Sequence, residues 1–141
     1  MDLYEKALMV AQTAHKGQVD KAGKDYFEAH ILQVAKLVPD EPYLKEIALL
    51  HDTLEDTDIT EEQLRQMFPD EIVDSVVTLT KDKNETYMDY IKRVKKDKRA
   101  TKVKRCDLMQ NMDLTRLNSI NEKDILRVEK YKKALKELKT K

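Results

Sequence analysis

Three observations predict an all-α fold for this 141-residue chain. Glycine occurs twice and proline three times, so few positions oppose a helix. Apolar residues recur at spacings of three and four, and cap-forming residues stand where those stripes begin. The one β-leaning run, Val76-Val77-Thr78-Leu79, is too short to build a sheet.

The first helix is expected from Leu3 to Lys16, stopping at Gly17, which suits the left-handed turn after a helix. A loop from Gly17 to Tyr26 follows, holding both glycines with Lys21 and Lys24. A second helix covers Phe27 to Val38 and ends before Pro39, and a third runs from Glu41 to Asp56. Thr60 and Gln63 have the spacing of a capping box and open a fourth, ending near Phe68. Pro69 starts a fifth that reaches Leu79. Two more are expected over Tyr87–Lys96 and Ala100–Arg116. Asn121 caps the last, with Ile125, Val128, Tyr131, Leu135 and Leu138 on one face.

Hydrophobic residues make up 40% and charged residues 38%, a balance that supports a core and argues against disorder. The length suits one domain over residues 1–141. The longest apolar run, Ala7 to Ala11, excludes a membrane-spanning helix, and the start Met1-Asp2-Leu3-Tyr4-Glu5 lacks the basic leader of a signal peptide. A single cysteine, Cys106, permits no internal disulfide, the usage of a cytoplasmic protein. Charge is uneven: 7 Lys and Arg oppose 15 Asp and Glu over residues 1–70, and 20 oppose 12 over residues 71–141. The basic run Lys92–Arg105 fits a solvated face better than a nucleic-acid site, since the near-neutral pI of 6.8 is not that of a dedicated binder.

Chemistry enters where polar residues interrupt apolar faces. Leu44, Ile47, Ala48 and Leu54 lie within about 60° of His51 at helical spacing, so His51 points inward. Asp52, Glu55 and Asp56 share that side, at about 100°, 40° and 140°. Carboxylates crowded on a half-buried face repel one another, and a divalent cation would relieve them. Asp107 and Asn111 recur between Val103 and Leu114 on another helix, and His30 lies among Phe27, Val34 and Leu37. Alone, His30 reads better as a hydrogen-bonded core residue. Together, two His and two Asp from three helices suit a mononuclear Mn²⁺, Fe²⁺ or Zn²⁺ site with open positions. His15 reads as a capping or packing residue at the end of the first helix.

The stretches Ala14-His15-Lys16-Gly17-Gln18, Asp20-Lys21-Ala22-Gly23, Tyr26 to His30, His51-Asp52-Thr53-Leu54-Glu55-Asp56-Thr57 and Val103-Lys104-Arg105-Cys106-Asp107 with Asn111 carry a resemblance. From about residue 4 to 135 the chain resembles the HD-domain phosphohydrolases, in particular the small single-domain form of the RelA/SpoT-type hydrolase domain. The resemblance implies an all-α HD bundle with one divalent ion, usually Mn²⁺, held by His30, His51, Asp52 and Asp107. It implies that Glu55 and Asp56 position or deprotonate the attacking water. Lys21 and Asn111 would contact the nucleotide, and Lys104 would face its phosphates. The implied reaction removes the 3′-pyrophosphate of guanosine tetra- or pentaphosphate (ppGpp, pppGpp), giving GDP or GTP. The chain departs from the family at Asp20, Asp25, Ile31, Gln110 and Asp113, around the nucleotide pocket and away from the metal ligands. Other readings are a phosphohydrolase for another nucleotide, such as a nucleoside phosphate or NADPH, and a nucleotide-sensing module without turnover.

Overall fold

The computed structural model describes residues 1–115, 117 and 119–140. Helix α1 (Leu3–Ala14) opens on Asp2, whose carboxylate accepts from the Glu5 amide at 2.7 Å, and closes on His15. The loop behind it turns through Gly17 (φ 89°) and Gly23 (φ 80°), left-handed positions where a side chain is strained. Asp20 Oδ1 accepts from the Ala22 and Lys24 amides, both at 2.9 Å, and fixes the turn that carries Lys21. Val19 and Asp25 close the loop with an isolated antiparallel bridge.

Helix α2 (residues 27–37) is π-helical over Phe27–Ile31 and α-helical over Leu32–Leu37. Helix α3 (Leu44–Leu50) is apolar at nearly every position, and Leu44, Ile47, Ala48, Leu49 and Leu50 are all buried. A helix of that kind belongs at the centre, and α1 and α2 pack against it. So do α6 (Asp70–Thr78) and α8 (Lys98–Asn111). Short helices α4 (Thr53–Asp56) and α5 (Glu61–Met67) lead from α3 to α6. Thr60 and Gln63 cap α5 reciprocally, as their spacing predicts. Helix α7 (Tyr87–Lys95) starts at Thr86, and α9 (Glu122–Lys139) lies across α7 and α8. Among the described residues no strand forms beyond the single bridge, and no helix is long and apolar enough to cross a membrane.

Several expectations change. The helix expected from Glu41 to Asp56 starts only at Leu44, because Pro42 and a left-handed Tyr43 (φ 72°) precede it, and it breaks at His51-Asp52. The first helix ends at Ala14 rather than Lys16. Leu37 is 49% exposed, since the chain becomes extended at Val38 and buries that residue instead. Ile125 is 53% exposed, because the first turn of α9 buries Asp124. Helix α8 ends at Asn111, so Leu114 falls beyond it; the expected end at Arg116 lies outside the described residues.

Cations of the basic run take tertiary partners. Arg93 forks onto Glu85 at 2.8 and 3.1 Å and donates to the Thr78 and Thr80 carbonyls. Lys95 reaches Glu137, Lys102 reaches Glu41, and the Arg99 guanidinium lies 5.4 Å from the Tyr43 ring centre.

Ile47 is fully buried in the central helix, so Ile47→Ala removes its contacts and leaves a cavity. A loss of about 2–5 kcal/mol of folding free energy is expected in urea denaturation.

Candidate metal centre

The break between α3 and α4 has side-chain causes. The last carbonyls of α3 lack intrahelical partners. His51 Nδ1 donates to the Ala48 carbonyl at 2.5 Å, and the buried Thr53 hydroxyl donates to the Leu50 carbonyl at 2.7 Å. A carbonyl can only accept, so the proton sits on His51 Nδ1 and Nε2 is aimed away from the helix. That Nε2 is buried without a hydrogen-bond partner, 3.4 Å from both Asp52 Oδ2 and Asp107 Oδ1.

The π-helical turn opening α2, a distortion frequent at functional sites, brings His30 to the same point. His30 Nε2 lies 2.8 Å from Asp107 Oδ1. Asp107 also accepts from Lys104 Nζ at 2.9 Å on Oδ2 and from Asn111 Nδ2 at 3.2 Å on Oδ1. His30, His51 and Asp107 are all buried and offer ligand atoms within 4.8 Å of one another. Two imidazoles and a carboxylate around an unpartnered buried nitrogen are a donor set that could hold a divalent ion.

A second group stands beside the first. Asp52, Glu55 and Asp56 bring carboxylate oxygens within 4.8 Å of one another. Asp52 links the two groups, because its Oδ2 accepts from the Tyr26 hydroxyl at 2.5 Å and approaches His51. Glu55 and Asp56 are exposed rather than inward-facing, the break having turned them toward solvent. Of the four expected ligands, three cluster tightly and Asp52 bridges to the carboxylates.

The electrostatics separate these groups. Burial pushes the Asp107 carboxyl up, but Lys104, His30 and His51 outweigh it and hold it well below the usual range. Burial opposes charge on His51, yet Asp52 and Asp107 prevail and push it up to about 9. Burial likewise opposes the Lys104 ammonium, and Asp107 foremost holds it well above its normal value. Burial raises Glu55, with Asp56 and Asp52 adding repulsion; burial and Asp52 raise Asp56.

A pocket of about 270 Å³ adjoins the cluster, lined by Lys21, Tyr26, Asn111, Asp113, Arg127 and Tyr131 among others. It gathers Lys21 and Asn111, two of the expected nucleotide contacts, together with the departures Asp20 and Asp113. Lys104, expected to face phosphates, lies mostly buried against Asp107. The sequence reading passes over Arg127 and takes Tyr131 as core. Their spacing from Asp124, at i+3 and i+7, marks one helix face and is the signal that was available. Asp124 is buried and pairs with Arg127 at 3.0 Å and Lys21 at 3.3 Å. Lys130 sits 4.1 Å over the Tyr87 ring, its charge disfavoured by burial and by Lys104, Lys81 and Arg127.

No family model matches the chain. It is 35% identical over 125 residues to the GTP pyrophosphokinase rsh of Brucella melitensis, covering 78% of this chain and 16% of that protein. It is 36% identical over 118 residues to the guanosine-3′,5′-bis(diphosphate) 3′-pyrophosphohydrolase of Haemophilus influenzae, covering 74% and 17%. A solved structure described as a metazoan ortholog of SpoT that hydrolyzes ppGpp matches with a TM-score of 0.79 at 19% identity, over 98% of this chain and 85% of that one. The chain is an HD domain of the RelA/SpoT type. Its fold is the all-α HD bundle that the sequence predicts. This RelA/SpoT-type domain spans between 11% and 17% of the length of the curated relatives it matches.

Two outcomes are expected of the cluster. His51→Ala and Asp107→Ala should each weaken divalent-ion binding, read with Mn²⁺ as the probe in isothermal titration calorimetry. The second concerns pH. His51 titrates near 9 in the folded protein against 6.5 unfolded. In chelator-treated protein its contribution to stability is therefore complete below pH 6.5 and lost as pH rises through about 9. Urea denaturation across that range should show the decline, and His51→Gln should flatten it.

Proposed function

We propose that residues 1–141 act as a single, cytoplasmic, metal-dependent phosphohydrolase domain that removes the 3′-pyrophosphate from guanosine tetra- or pentaphosphate. The observation carrying this reading is the buried, unpartnered His51 Nε2 between two carboxylates, beside His30 and next to a pocket of about 270 Å³. The hydrolase name of the Haemophilus influenzae relative supports the substrate.

In this reading His30, His51, Asp52 and Asp107 hold one divalent ion, most simply Mn²⁺. When bound, such an ion polarises a phosphoryl oxygen and makes a nearby water more acidic. Glu55 and Asp56, with raised carboxyls open to solvent, orient the water and take its proton as its oxygen attacks phosphorus. The ribose 3′-oxygen leaves and is protonated, freeing pyrophosphate. Lys21 and Asn111 contact the nucleotide, joined by Arg127 and Tyr131 across the pocket. Lys104 acts through Asp107, holding that ligand ionised.

A second reading, a phosphohydrolase for another nucleotide, draws on one observation. Asp124 already pairs with both Lys21 and Arg127, so a heavily phosphorylated ligand must compete with a buried carboxylate for them.

The test is product analysis on chelator-stripped protein given guanosine tetraphosphate, with and without Mn²⁺. Mn²⁺-dependent release of GDP and pyrophosphate is expected. Glu55→Ala should lower turnover by ~10²–10⁴-fold while Mn²⁺ binding persists. Mn²⁺ binding without turnover would discard the substrate and keep the site. Loss of Mn²⁺ in Glu55→Ala would overturn the role given to Glu55.

A further inference from the structure

We infer that Tyr26 is a positioning residue, its hydroxyl aiming the Asp52 carboxylate at the cation site. The inference rests on the proposed reading that Asp52 is a ligand.

Three contacts fix the Tyr26 side chain. Its ring stacks on His30, with centroids 5.3 Å apart and planes at 26°, and tilts against His15 at 5.6 Å. Its hydroxyl donates to Asp52 Oδ2 at 2.5 Å. His15 is fully buried, and its Nδ1 lies 2.8 Å from Gln18 Oε1, while Gln18 Nε2 donates to the Asp56 carbonyl at 2.8 Å. The end of α1 and the start of α2 thereby grip the α4 turn at Asp52 and Asp56.

Asp52 needs such a partner more than Asp107 or His51 does. Asp107 is held by Lys104 and Asn111, and His51 by the Ala48 carbonyl. Asp52 sits in the break between helices, with no side-chain capping bond of its own, beside Glu55 and Asp56, which repel it. Without the phenol its carboxylate would be free to rotate toward solvent. The phenol also stays a donor, because burial first and then Asp52 push its ionisation far above neutral pH. Outer-shell partners of this kind set the orientation of a ligand, and their removal costs ~10–100-fold in metal affinity or activity.

The test is Tyr26→Phe, which keeps the ring and its stacking and deletes only the hydroxyl. Mn²⁺ affinity is read by electron paramagnetic resonance, well below the melting temperature of each protein. His51→Ala and wild type are run alongside. The expected result is an apo melting temperature near wild type, Mn²⁺ binding weaker by ~10–100-fold, and kcat reduced with KM little changed. Unchanged Mn²⁺ affinity and kcat in a wild-type background that binds Mn²⁺ would overturn the inference. So would an effect confined to KM, which would make the hydroxyl a substrate contact. Wild type that fails to bind Mn²⁺ would instead overturn the underlying metal reading.

Discussion

A carboxylate buried in the middle of a helical bundle is the constraint on which this structure turns. Asp107 is almost inaccessible, and a lone ionised carboxylate there would cost several kcal/mol. The fold surrounds it with polar groups from three places: His30 on α2, His51 at the end of α3, and Lys104 and Asn111 on α8 itself. Those sources dictate that α2, α3 and α8 meet at one point, which the mutual packing of these helices achieves. The buried apolar residues of α3, Leu44, Ile47, Ala48, Leu49 and Leu50, hold α2 and α8 against it from the other side. Hydrophobic burial assembles the bundle, and the Asp107 network fixes how its helices face one another.

The break at His51-Asp52 turns that network into a site with two levels. A continuous helix would keep Glu55 on the inward face with His51. The interruption leaves His51 inside and turns Glu55 and Asp56 outward, with Asp52 between them. Environment then drives the carboxyls apart: Asp107 well down, Glu55 and Asp56 up. Such a split separates a group that stays charged from groups that exchange protons.

The sequence revealed much of this, and its failures arise where tertiary contacts decide. Helix positions, the Thr60 and Asn121 caps and the convergence of His30, His51 and Asp107 follow from periodicity and from polar residues placed on apolar faces. Periodicity assumes an uninterrupted helix, so it could not foresee the side chains of His51 and Thr53 taking the carbonyls that end α3. It placed Glu55 inward for the same reason, whereas Leu37 is exposed because α2 ends there and Ile125 because the first turn of α9 buries Asp124. His15 and Tyr26 were undervalued because their meaning lies in contacts across the fold. Arg127 and Lys130 lie on a helix for which nothing local shows that it packs against the pocket.

Charge finally explains why the two levels belong together. The pocket is lined by Lys21 and Arg127, cations with which an anionic ligand could pair. Asp52, Glu55 and Asp56 would repel the phosphoryl oxygens such a ligand presents, yet in the proposed reaction the water-activating base has to be that close. Lys104 cannot resolve the conflict directly, because it is engaged with Asp107. A cation among His30, His51 and Asp107 can, since it would offset the carboxylates where they meet the ligand. In the proposed function the buried imidazoles and the exposed carboxylates are two halves of one requirement: phosphate hydrolysis needs a base, and a base made of carboxylates needs a positive charge beside it.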